Sequence, residues 1–360
     1  MKTALYEHHR ALGAKLIDFG GWQMPVQYKG IVEEHLAVRR HVGIFDVSHM
    51  GRIIVEGLGA EALLDYLSTN QIAGKKDGTA TYTVWSTESG TCVDDLIIYR
   101  ESPTRFFLVV NASNRDKDLK HLLHYSVTRD VIINDRFKED GIIALQGPDA
   151  IPLISSLFPQ VRTLKPMTFI SRDYGGEQVI ISHTGYTGAG GVEIYASNQT
   201  IVTLWESLLE RGEKFDIQPI GLGARDTLRL EMGYALYGHE LTDSIAPVET
   251  VSAWTIKWDK SDFLGKQALE ALMKSKKLRH EYGILLMDKG VIREGYPVFQ
   301  EGKLIGTVTS GTYSPSLQQS IGIVLVEKNL RAGDSLDVQI RQNLHPARVV
   351  NLPFIGTVGH

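Results

Sequence analysis

The sequence predicts an α+β fold in which two units with antiparallel sheets precede a C-terminal all-β unit. Through about residue 270, segments with helical periodicity alternate with short apolar strands, and the strands at 91–100 and 105–111 are separated by a loop of hairpin length. From residue 279 the pattern changes to closely spaced short strands, which is typical of a barrel or sandwich. A chain of 360 residues is long enough for two or three domains.

On this basis we divide the chain into three domains. The first is discontinuous and comprises residues 1–50 and 131–270. The second comprises residues 51–130 and is an α+β unit that carries an acidic strand. The third, residues 279–360, is the β-barrel or sandwich, and we interpret the basic run at 274–280 as the linker that precedes it.

Composition and charge exclude several classes of partner. The formal net charge is −4, and no run of Lys and Arg is interleaved with aromatic residues, so nucleic acid is not an expected partner. There is no uninterrupted apolar run of about 18 residues, and no apolar segment follows Lys2. We therefore expect no membrane span and no secretory leader, and a cytoplasmic location.

The sequence has a single cysteine, Cys92, which excludes internal disulfides and any zinc or iron–sulfur site built from several cysteines. We expect no metal. Cys92 lies two residues before Asp94, so a nucleophilic role is open, but no histidine is near it in the sequence. A small buried apolar residue is the favoured interpretation.

Two adjacent carboxylates, Asp94 and Asp95, lie at the start of the otherwise apolar strand predicted over 91–100. Side chains along a strand alternate between its two faces, so the two acids point in opposite directions and each face continues with apolar residues. At least one acid should therefore lie at the rim of a packed core. The alternative is that both acids are hydrogen-bonded to the preceding turn.

Several other residues have both a functional and a structural interpretation. His49 is either a base or a polar residue beside the core. Tyr82 falls on the strand that precedes the acidic strand, and its structural interpretation is a tyrosine at a buried edge. Glu193 follows a glycine-rich turn that lacks the features of a phosphate-binding loop, and its structural interpretation is a polar residue on an exposed strand face. Arg225 and Arg229 lie one turn apart on a predicted helix, facing either an anion or solvent.

Eight motifs in order along nearly the whole chain resemble the aminomethyltransferase, or T-protein, family of the glycine cleavage system. They are Phe-Gly-Gly-Trp-Gln-Met-Pro (19–25), Phe-Asp-Val-Ser-His-Met (45–50), Val-Asp-Asp-Leu-Ile (93–97), Gln-Gly-Pro (146–148), Thr-Gly-Tyr-Thr-Gly (184–188), Gly-Leu-Gly-Ala-Arg-Asp-Thr-Leu-Arg-Leu-Glu (221–231), Leu-Tyr-Gly (236–238) and Thr-Ser-Gly-Thr-Tyr-Ser-Pro (309–315). One motif would be weak, but eight in register are specific for the family.

The resemblance implies three domains arranged as a cloverleaf around a central channel that holds tetrahydrofolate. It implies an aminomethyltransferase that passes the one-carbon unit of an aminomethyl group, carried on the lipoyl arm of the H-protein, to tetrahydrofolate. The products are 5,10-methylenetetrahydrofolate, ammonia and the dihydrolipoyl carrier. The alternative is a folate-dependent demethylase that acts directly on a small methylated substrate, and a requirement for lipoylated H-protein would separate the two.

The resemblance also implies roles for individual residues. Asp94 would be the reacting acid beside N5 and N10 of the folate, where a fixed carboxylate favours transient positive charge. Glu193 would accept the paired N–H donors of the pterin ring. Arg225 would line the folate site as a forked cation. Tyr82 and Tyr186 would form the aromatic walls.

The sequence departs from the family pattern at two places. Ala189 stands where the family commonly has glutamate, which leaves Glu193 as the pterin acceptor of that motif. The tail, residues 350–360, lacks the basic residue that often follows the family's Pro-Phe, so the resemblance does not extend to a C-terminal contact with the folate tail.

Asp95 is the control position, and we expect its loss to cost stability more than chemistry.

Overall fold

The computed structural model describes residues 1–356. It contains two mainly antiparallel sheets, a two-stranded hairpin and a closed barrel. The predicted α+β class with a C-terminal barrel is confirmed. Of the unusual tail noted above, residues 357–360 lie outside the described part of the chain.

The N-terminal segment forms a hairpin between two short helices. Its elements are α1 (Tyr6–Ala11), β1 (Lys15–Phe19), β2 (Trp22–Gln27), α2 (Ile31–Arg40) and β3 (Gly43–Asp46). The hairpin turn consists of Gly20 and Gly21, which both have positive φ, as a tight two-residue hairpin turn requires. The sequence analysis predicted neither of these two strands.

The second sheet is a five-stranded antiparallel sheet with the order β5-β6-β7-β4-β8. Its elements are β4 (Gly51–Glu56), α3 (Ala60–Leu67), β5 (Thr79–Ser86), β6 (Cys92–Ser102), β7 (Arg105–Val110), α4 (Arg115–Ser126) and β8 (Ile132–Asp135). One face packs against α3 and α4 around Trp85, Leu96 and Leu122. Strand β8 pairs with β4, so this sheet extends past the predicted boundary at residue 130.

A six-stranded sheet with the order β10-β11-β12-β9-β3-β13 forms the other N-terminal unit. Its remaining elements are β9 (Asp140–Gln146), α5 (Ala150–Ile154), β10 (Phe169–Tyr174), β11 (Glu177–Ser182), β12 (Gly191–Ser197), α6 (Asn198–Gly212), β13 (Gln218–Pro219) and α7 (Leu222–Glu231). Because β3 precedes the five-stranded sheet in the chain and the other five strands follow it, this sheet is built from two separate chain segments. The division into domains as such stays a prediction.

The two sheets share an apolar layer. Tyr99 and Phe107 from the five-stranded sheet pack with Phe45 and Tyr195 from the six-stranded sheet, and Leu228 of α7 joins the same cluster. Strand β12 is buried along almost its whole length, which the sequence analysis did not anticipate because it expected an exposed face. Residues on the facing sides of the five-stranded and six-stranded sheets are therefore close to one another.

The C-terminal unit is a closed six-stranded barrel preceded by a helix. Its elements are α8 (Lys266–Met273), β14 (His280–Leu286), β15 (Pro297–Gln300), β16 (Lys303–Ser314), β17 (Gln319–Val326), β18 (Ser335–Ile340) and β19 (Asn343–Val350). The ring closes where β19 pairs with β14, so every barrel strand has two neighbours. Closure leaves no unpaired strand edge.

Helix α7 connects the barrel to the rest of the molecule through two buried charged residues. Glu231 accepts hydrogen bonds from Ser314 Oγ at 2.6 Å and Ser316 Oγ at 2.9 Å, and its carboxylate also pairs with Arg39 at 2.9 Å. Arg229 donates to Ser310 Oγ at 2.9 Å. The barrel thus supplies partners for charges that lie on a helix of the N-terminal part.

Candidate active site

Strand β6 carries the two adjacent acids on opposite faces of the five-stranded sheet. Asp94 is fully buried and lies on the face of Leu96 and Ile98, which pack in the core beneath α3 and α4. Asp95 is partly exposed and lies on the face of Tyr99, which packs against the six-stranded sheet. The two carboxylates therefore meet different parts of the molecule.

The Asp94 carboxylate is enclosed by donors from the segment between β7 and α4. Oδ2 accepts the backbone N–H of Asn111 at 3.0 Å, and Oδ1 accepts Nδ2 of Asn111 at 2.9 Å and Nδ2 of Asn114 at 2.6 Å. Burial raises the pKa of Asp94, and hydrogen bonds from Asp118, Asn111 and Asn114 oppose that rise. Both oxygens are thus committed to the protein interior.

Asp95 faces the side where the two sheets meet. Its Oδ2 accepts the hydroxyl of Tyr82 at 3.0 Å, and its Oδ1 accepts Nδ2 of Asn111 at 3.0 Å. Burial, together with the negative charge of Asp94, raises the pKa of Asp95 to about 7. A carboxyl group with this pKa exchanges its proton near neutral pH, which is the condition that acid–base chemistry favours.

Tyr82 belongs to one of two aromatic stacks that lie beside Asp95. Its ring stacks on Trp254, with centroids 5.9 Å apart and planes 26° apart, and its hydroxyl is 3.2 Å from Ser252 Oγ. Both partners lie on a short 3₁₀ helix, Val251–Thr255. Trp254 is 60% exposed although it is a large aromatic residue, so one of its faces is open to a ligand.

Tyr186 forms the second stack, from the loop that precedes β12. Its ring stacks on Tyr234 at 5.8 Å with planes 25° apart, and its hydroxyl donates to the carbonyl oxygen of Ala235. Burial raises the pKa of Tyr186, and the carboxylate of Asp95 contributes to the rise. The second stack and Asp95 therefore belong to one electrostatic neighbourhood.

Glu193 of β12 is buried but keeps one oxygen available. Its Oε2 accepts the hydroxyl of Thr184 at 2.6 Å and that of Tyr195 at 3.2 Å. Tyr195 is in turn held by Tyr99 across the two sheets, with 2.6 Å between their hydroxyl oxygens. Among residues 1–356, the hydrogen bonds that Glu193 accepts go to Oε2 alone, which leaves Oε1 for a ligand.

Arg225 of α7 presents a cation to the same place. Its guanidinium lies 4.7 Å from the centroid of the Tyr186 ring, in cation–π contact. Burial lowers the pKa of Arg225, and the neighbouring Glu193 carboxylate partly offsets this. Within the described part of the chain the guanidinium makes no hydrogen bond or ion pair, so its forked donors are free for an oxygen ligand.

His49 is buried close to this group of residues. Its ring packs edge-on against Phe19 at 5.5 Å, and its Nδ1 has no hydrogen-bond partner among residues 1–356. Burial, followed by the positive charge of Arg225, lowers the pKa of His49 to about 4. The imidazole is therefore neutral at neutral pH.

Two further properties of residues 1–356 bear on the site. They contain no group of three or more His, Cys, Asp or Glu side chains arranged to hold a metal ion. Over the same residues, none of the helices combines the length and apolar character needed to cross a membrane.

Two family models match this chain in succession. One is described as the GCVT N-terminal domain and matches residues 5–260, and the other is the glycine cleavage T-protein C-terminal barrel domain, which matches residues 279–355. Together they cover most of the sequence. The chain belongs to the glycine cleavage T-protein family.

Individual members of this family are similar to this chain over nearly their full length. An aminomethyltransferase from Chlorobium chlorochromatii (strain CaD3) is 45% identical, with 98% of each chain covered, and one from Bacillus pumilus (strain SAFR-032) is 42% identical with the same coverage. The crystal structure of glycine cleavage system aminomethyltransferase T from Bartonella henselae superposes with a TM-score of 0.92 at 32% identity, covering 99% of this chain and 98% of that one.

The structure brings four of the five sequence-predicted site residues of this T-protein family member to one side. Tyr82 neighbours Tyr186, the Tyr186 ring contacts Arg225, and Arg225 neighbours Glu193. The prediction for Asp94 requires correction, because its carboxylate points into the helix-covered core. Asp95, which we expected to be a structural acid, lies beside Tyr82 instead.

The sequence analysis missed Trp254 and Tyr234, the outer members of the two aromatic stacks. Trp254 lies on a short 3₁₀ helix and Tyr234 lies outside the strands and helices, so neither belongs to a segment long enough for periodicity to be informative. The signal available in the sequence was their size, since a large aromatic ring supplies a flat apolar face that suits a ring of a ligand.

Proposed function

We propose that the residues around Asp95 carry out the reaction of the T-protein family in this chain. The chain is an aminomethyltransferase of the glycine cleavage system and a folate-dependent enzyme. In the finer form of the proposal, the one-carbon unit of an aminomethyl group passes from the lipoyl arm of the H-protein to tetrahydrofolate with release of ammonia. The product is 5,10-methylenetetrahydrofolate.

The side chains at the site fit a reduced folate in their chemistry. A folate combines flat rings, a pair of N–H donors on the pterin and anionic carboxylates. The ring faces of Tyr82 and Tyr186 suit the flat rings, Oε1 of Glu193 suits the paired donors, and the forked guanidinium of Arg225 suits an oxygen. Tetrahydrofolate, when bound, supplies the nucleophilic nitrogen that accepts the one-carbon unit.

The position of Asp95 is the single observation that carries the proposal. Tyr82 and Asn111 fix its carboxylate on the side of the aromatic stacks, in partly buried surroundings. A fixed carboxylate in such surroundings stabilises positive charge that develops nearby more strongly than water does. Because its pKa is about 7, Asp95 can also hold or release a proton at its oxygens during turnover.

Asp95 therefore replaces Asp94 as the proposed reacting acid, and Asp94 becomes a buried support for Asn111. We also propose a cytoplasmic location, which the single buried, unpaired cysteine Cys92 supports.

The test uses purified chain, H-protein carrying an aminomethylated lipoyl group, and tetrahydrofolate. We expect methylenetetrahydrofolate and ammonia in equal amounts, and neither when the H-protein or the folate is omitted. Formation of methylenetetrahydrofolate from a small methylated amine without H-protein would instead show a direct demethylase. Full activity in Asp95→Asn would overturn the assignment of Asp95.

A further inference from the structure

A buried acid on α4, Asp118, has no part in the chemistry described so far. Its side chain is fully buried, and neither carboxyl oxygen accepts a hydrogen bond from an N–H or hydroxyl group of the described residues. An ionised carboxylate accepts hydrogen bonds but cannot donate them. Leaving such a charge buried without any donor is unfavourable, so the state of this group needs an explanation.

The neighbour of Asp118 is Asp94. The two carboxyl groups lie within hydrogen-bonding reach of each other. Burial is the main cause that raises the pKa of both, and the negative charge of Asp94 adds to the rise at Asp118. Two buried carboxyl groups in contact do not both ionise, so at neutral pH the pair retains one proton.

The surrounding donors decide where that proton is held. Three N–H groups from Asn111 and Asn114 point at Asp94 and stabilise its ionised form. Within residues 1–356, no N–H or hydroxyl group donates to Asp118 in this way. This arrangement of donors favours Asp118 as the neutral carboxyl, with its O–H as the donor for the hydrogen bond between the two acids.

Other ionisable groups around the pair do not add a full compensating charge. On β6, burial raises the pKa of the Cys92 thiol, which stays neutral. On α4, burial lowers the pKa of His121 to about 4, and Lys117 pairs with the Asp243 carboxylate at 3.0 Å. From the segment after α7, Tyr237 donates its hydroxyl to Asp243 at 2.6 Å and remains protonated. Asp95, the other acid of β6, adds negative charge when it ionises.

Asn111 connects this pair to the reacting acid. Its Nδ2 lies 2.9 Å from Oδ1 of Asp94 and 3.0 Å from Oδ1 of Asp95, so a single amide group bridges the two faces of β6. The amide that Asp94 holds is therefore the same amide that holds the carboxylate facing the aromatic stacks.

We infer that Asp118 is a positioning residue for aminomethyl transfer. Its protonated carboxyl group donates a hydrogen bond to Asp94, Asp94 fixes the Asn111 amide, and that amide orients Asp95. The inference rests on the proposed role of Asp95. Asp118 itself touches neither substrate nor the reacting atoms.

Infrared spectroscopy tests the protonation state without any assay of activity. At alkaline pH, where Asp95 is ionised, we expect the wild-type protein to show a D₂O-sensitive carbonyl stretch of a protonated carboxyl group that Asp118→Asn loses. Burial also raises the pKa of Glu281, so a band from Glu281 would remain in both proteins. The matched control is Asp116→Asn, which makes the same change two residues away on the exposed side of α4 and should leave the band in place. A spectrum in which Asp118→Asn removes no such band would overturn the inference.

Kinetics test the positioning role. In Asp118→Ala we expect kcat to fall by about 10-fold with the KM for tetrahydrofolate little changed, because a displaced reacting group slows the chemical step rather than binding. Asp118→Asn should recover most of this loss, since its amide can donate to Asp94 as the protonated acid does. Equal losses in both variants, or a loss that appears only in KM, would contradict the inference.

The experiments also separate this inference from the proposed function. If Asp118→Ala does not fold, the infrared comparison and the kinetics of Asp118→Asn still decide the question. An ionised Asp118 together with an inactive Asp95→Asn would refute the inference alone. A protonated Asp118 together with a fully active Asp95→Asn would refute the role of Asp95, and with it the positioning role.

Discussion

The two faces of strand β6 begin with the same residue type but provide opposite environments. Asp94 points into a core closed by α4, where three N–H donors enclose its carboxylate. Asp95 points to the meeting place of two sheets, where one hydroxyl and one shared amide hold it and part of its surface stays open. The difference teaches that the surrounding elements, and not the acids themselves, decide which carboxylate can act.

The largest effect should come from Asp95→Asn, which removes the proposed charge but keeps an oxygen to accept the Tyr82 hydroxyl. We expect the rate of aminomethyl transfer to fall by about 100-fold or more, the size of general acid–base effects. The assay follows methylenetetrahydrofolate with saturating H-protein. A variant that transfers at nearly the wild-type rate would remove the functional distinction between the two faces.

Asp95→Asn should lower activity but raise the stability of the folded protein, by an amount that depends on pH. The folded-state pKa of Asp95, about 7, lies above its ordinary value, so the folded protein binds more protons than the unfolded chain between about pH 4 and pH 7. Wild-type stability therefore falls as the pH rises through that window. Asp95→Asn should lack this loss and melt at a higher temperature than wild type above pH 7, with the difference shrinking toward pH 4. Parallel melting curves for the two proteins across this range would contradict the raised pKa.

Asp94→Asn should mainly destabilise the fold. An asparagine places an N–H₂ group against donors from Asn111 and Asn114, which leaves buried donors without acceptors, so we expect a loss of about 2–4 kcal/mol in the free energy of unfolding. Urea unfolding monitored by circular dichroism gives this value. The folded fraction should still transfer faster than Asp95→Asn, and the reverse order would favour Asp94 as the reacting acid.

A smaller effect is expected for Glu193→Gln, across the interface from Asp95. Replacing the carboxylate by an amide removes one charge-assisted acceptor, so the Kd for tetrahydrofolate should increase by about 10-fold, corresponding to a charged hydrogen bond. Isothermal titration calorimetry measures the Kd directly. Glu177→Gln, an exposed acid on β11 of the same sheet, is the control and should bind folate as wild type does. Identical affinity for wild type and Glu193→Gln would place this residue outside the folate site.

The smallest effect should follow Tyr82→Phe, which keeps the ring but removes the hydroxyl that donates to Asp95. Loss of a donor to an ionised carboxylate raises the pKa of Asp95, so the acid limb of the pH–rate profile should move to higher pH by less than about one unit. The rate well above that limb should change little. A limb that stays in place would show that this hydrogen bond does not affect the ionisation of Asp95.

Much of this organisation can be derived from local sequence patterns. Alternation along residues 91–100 correctly separates Asp94 from Asp95, and the loop after β6 correctly predicts an antiparallel partner. Local patterns do not reveal which face is covered by α4, because the asparagines that enclose Asp94 lie beyond the next strand. The β1–β2 hairpin was missed although Gly20 and Gly21 mark it, since two adjacent glycines also suit an irregular loop.

The contacts of α7 with the barrel limit how far this protein can be dissected. A chain that ends before residue 279 would leave the Glu231 carboxylate without Ser314 and the Arg229 guanidinium without Ser310, both in the interior. The helix that would suffer also carries Arg225, so the N-terminal part is not autonomous. Although two family models divide the sequence, we expect neither segment to fold alone. Exchanging the barrel for that of a relative should succeed only when the new barrel keeps Ser310 and Ser314.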